Sequence, residues 1–131
     1  MNSHFQGYVI YYPDKYYKLL WELGKDAEYS FERRDIELGG VANSIRDLFF
    51  GYYVNIEELE VEIFLYRNKG IKGQLLVNAK PLPDFVMISK GEDPGDYIGL
   101  LANTIKKMKG VRQVVTVPMS NFIKIKELIY N

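Results

Sequence analysis

The chain contains no cysteine. That single absence excludes disulfides, thiolate metal ligands and cysteine nucleophiles together. Histidine is almost as scarce: His4 is the only one, and it sits in a polar N-terminal stretch. A Ser–His–carboxylate triad therefore has no inner histidine to use, and a zinc site would need an all-carboxylate shell, which zinc rarely takes. No apolar run approaches the length of a membrane span. Met1 to Gln6 lacks the basic-then-apolar order of a signal peptide. These absences lead to the expectation of a soluble, cytoplasmic protein with no cofactor and no metal. Net charge is also lacking, with 17 Lys/Arg against 17 Asp/Glu, which limits any nucleic-acid footprint to a small one.

What the chain does have is material for a core. At 131 residues it has the usual size of one domain, expected to span 1–131. A folded chain of that length buries roughly two-thirds of the surface its unfolded form exposes. Apolar residues make up 47% and aromatic residues 15%, more than a disordered chain carries. Charge is uneven along the chain: residues 1–60 hold six Lys/Arg and eleven Asp/Glu, and residues 61–131 hold eleven and six. If the halves interleave in space this asymmetry cancels; otherwise the second half presents a basic patch.

Residues 5–12 are aromatic and β-branched and predict a strand. Pro13 then suits the first turn of a helix in which Tyr16, Leu19, Leu20 and Leu23 recur at helical spacing, with Gly24 as its stop. Tyr29, Phe31 and Arg33 alternate, as in a short edge strand. Val41, Ile45, Leu48 and Phe49 form a second helical stripe, predicting a helix near residues 41–50. The clearest alternation comes next: Leu59, Val61, Ile63 and Leu65 against Glu60, Glu62, Phe64 and Tyr66. Asn68-Lys69-Gly70 predicts a hairpin loop into a second strand from Ile71 to Ala79. Phe85 to Ser89 reads as a further strand. Asp93 is a good N-cap for a helix opening at Pro94, with Ile98, Leu101, Ala102 and Ile105 inward and Gly110 beyond its end. Arg112 to Val117 reads as a strand, and Ser120 can cap a C-terminal helix. The implied order is the split βαβ of a ferredoxin-like α+β fold: an antiparallel sheet of four to five strands with helices packed on it. That fold hosts enzymes, regulators and nucleic-acid binders alike, so it sets no function.

Motifs that carry chemistry are missing where they would be expected. Gly91-Glu92-Asp93-Pro94-Gly95-Asp96 lies between a strand and a helix, as a phosphate cradle would. It holds three carboxylates and no Lys, Ser or Thr of a P-loop, so it reads as a capping loop. Gly39-Gly40 lacks dinucleotide-binding spacing. Glu58, Glu60 and Glu62 form a like-charged stripe on one strand face. Such stripes are ordinary on antiparallel sheets, where Lys72 or Arg67 across the hairpin would offset them.

The expected hairpin has one mixed face, on which Phe64 and Tyr66 lie beside Lys72, Gln74 and Leu76. Rings and cations on an open sheet can stack bases and hold phosphates. Set against the RNA-recognition-motif signature, Lys72-Gly73 and Val77 match, while Gln74, Leu76 and Ala79 stand where aromatics are required, so no family is assigned. The same face can instead be covered by a helix or by a second copy of the chain, since apolar residues on both sheet faces usually mean both are covered. Eleven tyrosines, with pairs at Tyr11-Tyr12, Tyr16-Tyr17 and Tyr52-Tyr53, place rings on opposite sides of strands and so at rims or interfaces. The favoured expectation is a non-enzymatic interaction module, a homo-oligomer (a dimer) or an accessory protein, that binds through an aromatic-rich sheet or rim surface. The candidate surface is Phe64, Tyr66, Lys72, Gln74 and Leu76. Single-stranded nucleic-acid binding on that face, with Lys69, Lys80 and Arg112 assisting, is the alternative. An enzyme built from Glu60 or Glu62 with Tyr and Lys is the second alternative.

Overall fold

The computed structural model describes residues 4–13, 15–25, 31–39, 46–91 and 94–118. Along these residues run β1 (His4–Tyr11), α1 (Tyr16–Lys25), β2 (Glu32–Arg33), β3 (Ile36–Gly39), β4 (Arg46–Phe49), β5 (Gly51–Ile56), a 3₁₀ turn (Glu57–Leu59), β6 (Val61–Arg67), β7 (Phe85–Gly91), α2 (Pro94–Lys106) and β8 (Gln113–Val117). Six strands form one antiparallel sheet in the order β2-β5-β6-β7-β1-β8, and β3 and β4 form a separate two-stranded sheet.

This corrects the ferredoxin-like α+β expectation. The structure is dominated by strands, its main sheet is larger than four or five strands, and a second small sheet lies against it; only two short helices occur among the described residues. β3 and β5 form where no strand is expected, and two further local departures add to the difference. The helix expected near 41–50 is replaced over its described part by β4, which pairs with β3 in the register Ile36↔Phe49 and Leu38↔Asp47. Asp47 and Phe49 point inward and Arg46 outward; an inward aspartate hides a period of two. The strand expected at Ile71–Ala79 does not form, and β6 pairs instead with β5 and β7, with Arg67 opposite Phe85. Val41, Ile45, Asp93 and the helix expected after Ser120 lie outside the described residues.

The alternation of β6 sorts its residues to two cores. Val61, Ile63 and Leu65 join Ile10, Tyr12, Phe85 and Met87 on one sheet face, beneath Leu19 and Leu23 of α1 and Ile98, Leu101, Ala102 and Ile105 of α2. The apolar stripe at i, i+3, i+4 and i+7 on α2 makes its packing, and on α1 Leu19 and Leu23 lie one turn apart on the inward side. On the opposite face Phe64 and Tyr66 join Val9, Val86, Ile88 and Tyr53, covered by Leu38 and Phe49 of the small sheet and by Leu76 and Val77. The central sheet is thus buried on both sides within one chain. At about 1.5–3 kcal/mol for each large apolar side chain, both cores contribute substantially to stability. No helix among the described residues is long and apolar enough to cross a membrane.

Candidate functional site

The residues singled out in the sequence are separated by the fold. Phe64, Tyr66 and Leu76 are 4%, 1% and 1% exposed, which leaves no ring there on which a base could stack. Lys72 is exposed and Gln74 half-buried, in the loop rather than on a strand. Their backbone N–H groups are held from below. Asp47, 1% exposed, accepts the N–H groups of Leu48 and Lys72 on Oδ1, both at 2.8 Å, and that of Gln74 on Oδ2 at 2.9 Å. Gly70 packs directly on this carboxylate, where a Cβ would collide with it. Gly73 closes the turn at φ +94°, a conformation that disfavours side chains.

A second buried polar group completes the clasp. Asn68 donates from Nδ2 to the carbonyls of Val77 (2.9 Å) and Pro83 (3.1 Å) and accepts the Val77 N–H on Oδ1 at 2.7 Å. Its backbone carbonyl accepts the Leu76 N–H at 3.0 Å, and its own N–H donates to Asp84. Hydrogen bonds that a hairpin ladder would have used are thus taken by Asp47 and Asn68. That is why 71–79 folds as a strap over the second core instead of a strand. The strap leaves a cleft of about 210 Å³ beside Tyr12, Arg67, Lys69, Leu75 and Leu82, below the usual 300–1,000 Å³ of ligand pockets. The Asp84 carboxylate at its wall accepts the Tyr12 N–H at 2.7 Å.

The acidic stripe is also dispersed. Glu58 falls in the 3₁₀ turn, Glu60 adopts φ 53° at the turn's end, and only Glu62 lies on a strand. Glu62 accepts the Tyr53 hydroxyl on Oε1 at 2.7 Å. Burial, then the hydrogen bond to Glu62 and its charge, push the Tyr53 phenol up to about 12 against the opposing pull of Arg34. A proton held this firmly is unsuited to a tyrosine acting as base or nucleophile near neutral pH, which needs a lowered value. Among the described residues no three His, Cys, Asp or Glu side chains gather as a metal site would need.

A different surface emerges at the β2–β5 edge. Arg33 and Arg34 are adjacent in sequence and reach opposite sides of the sheet. Arg33 lies 5.0 Å from the Phe50 ring centroid and 5.7 Å from that of Tyr52. Arg34 lies 3.6 Å over Tyr53, on the face of Phe64 and Glu62. Both arginine side chains remain 45–48% exposed. Asp35 braces the edge, accepting from Arg33 Nε at 2.7 Å and from the Gly51 N–H at 3.0 Å. The rim is therefore two ordered guanidinium groups on aromatic supports. Alternation at Arg33 and the Tyr52-Tyr53 pair were visible in the sequence; that Arg34 would fold back over the second ring was not, because it depends on β2 pairing with β5. No family model matches the chain, and no curated protein or solved structure gives a significant match.

Proposed function

We propose that the protein is a non-enzymatic interaction module that binds a protein partner through the Arg33–Arg34 rim. The carrying observation is the placement of Arg34 at 3.6 Å over Tyr53 while its side chain stays 45% exposed. Arginine, tyrosine and tryptophan dominate the binding energy of protein interfaces, because they bury large area and keep a polar end for hydrogen bonding. An arginine already stacked on a ring loses less side-chain freedom on association than one free in solvent. Filling of both sheet faces by the chain itself supports a contact at the rim rather than on the hairpin surface.

A photo-crosslinking residue at Tyr52, introduced in cells, tests this reading. It should yield a discrete adduct with one protein, weakened at least about tenfold by Arg34→Ala. The same group at exposed Lys107 serves as the control. Equal adducts from both positions, or none from Tyr52, contradict the rim as a binding surface.

A further inference from the structure

The two edges of the main sheet differ in a way the rim contact does not use. At one end, β2 is two residues long and carries Glu32 and Arg33, with Arg34 and Asp35 following. Short, charged edges discourage strand addition. At the other end, β8 runs five residues, Gln113-Val114-Val115-Thr116-Val117, with no charge within it. It pairs with β1 on one side, and among the described residues nothing pairs with its outer side. Its valines are half-buried, and both cores run out to it: Val114 flanks the helix-covered core, and Val115 and Val117 flank the strap-covered one.

We propose that β8 is a self-association edge that pairs antiparallel with β8 of a second copy of this chain, with Val115 facing its own counterpart. The occupant follows from self-complementarity. In that register Val114 meets Thr116 and Gln113 meets Val117, so each pair is apolar or uncharged. Arg112 meets Pro118, which has no N–H to give and ends the ladder. No like charges come face to face, and both cores continue across the two-fold axis. Isologous pairing of this kind is the commonest symmetry of soluble oligomers. A five-residue ladder is smaller than a standard interface of about 1,600 Å², so the dimer is a weak one. It uses the opposite edge from the rim and stands or falls independently of the partner contact there.

Sedimentation velocity of the full chain over a concentration series up to several hundred micromolar tests the pairing. The wild type should shift from monomer to dimer. Val115→Lys and Val115→Glu, each checked for an unchanged circular dichroism spectrum, should weaken the dimer at least about tenfold through like charges directly opposite each other. An equimolar mixture of the two should restore it, because Lys then faces Glu. A dimer indifferent to both variants overturns the proposal, and so does a mixture that stays monomeric. A wild type that is monomeric throughout also overturns it. Protected outer β8 amides in that monomer would assign the edge to another segment of the same chain; freely exchanging ones would leave it to a strand of another protein.

Discussion

Replacing Asn68 by alanine should be among the most damaging single changes in the chain. The residue is fully buried, and its amide makes three hydrogen bonds, all to backbone groups: the N–H and carbonyl of Val77 in the strap and the carbonyl of Pro83 beyond it. Alanine removes the side-chain partner of all three without supplying another. A buried polar group left unsatisfied costs about 1–3 kcal/mol. Two or three such groups give a loss of about 3–6 kcal/mol, partly relieved if water follows the truncated side chain. Against a typical domain stability of about 5–15 kcal/mol, that loss is easily resolved as a shift of the urea midpoint at constant m. Asn68→Asp sharpens the test. It keeps an acceptor for the Val77 N–H but turns two donors into lone pairs aimed at carbonyl oxygens, and it buries a charge. It should cost as much as alanine or more. A loss below about 1 kcal/mol for Asn68→Ala, or an aspartate variant clearly more stable than the alanine one, would refute the view that this amide holds the strap.

Asp47→Ala should cost about 2–4 kcal/mol, because the long-range bonds from the Lys72 and Gln74 N–H groups are charge-assisted; hydrogen exchange at those two amides should accelerate, and unchanged exchange would contradict the role. Burial pushes the Tyr66 phenol up to about 12, with Arg34 lowering and Asp35 raising it, whereas in the unfolded chain it titrates near 10. The stability this group lends is therefore complete below pH 10 and is lost as pH rises through 12, by about 1.4 kcal/mol per pH unit in that window. Denaturant midpoints from pH 9 to 11.5 should fall less steeply in Tyr66→Phe than in the wild type; equal slopes would count against it. Ser89 is 0% exposed and its Oγ has no hydrogen-bond partner, so Ser89→Ala should leave stability unchanged or raise it by about 1 kcal/mol. A clear loss in calorimetry would mean that the hydroxyl is satisfied after all.

Where period and local chemistry decide the structure, the residues could be read directly. The inward set of β6 follows from alternation, and α2 opens at Pro94 with its buried stripe at Ile98, Leu101, Ala102 and Ile105 as spacing demands. The departures at β4 and at the strap share one cause. Asp47 and Asn68 are polar residues at buried positions, and a pattern of apolar residues places polar ones at the surface. Their partners lie 25 and 27 residues away for Asp47 and 9 and 15 for Asn68, so no local signal announces them. Once those side chains take the backbone groups of Lys72, Gln74 and Val77, the expected strand from Ile71 to Ala79 is reduced to an isolated antiparallel bridge between Lys69 and Leu75, and β7 becomes the partner of β6. The same event lays Leu76 of the strap over Phe64 and Tyr66. The candidate surface moves from those rings to the rim of Arg33, Arg34, Phe50 and Tyr52, an arrangement that exists only after β2 and β5 have paired.

Burial of both sheet faces by the chain itself underlies each of these conclusions, and hydroxyl-radical footprinting of the monomer tests it most directly. Trp21 and Tyr17, which are 61% and 52% exposed, should oxidise readily, while Phe64 and Tyr66, at 4% and 1%, should be strongly protected. Protection that holds at the lowest protein concentration is the predicted result. Oxidation of Tyr66 at a rate comparable to Tyr17 would contradict the account and return the β6 face to the surface.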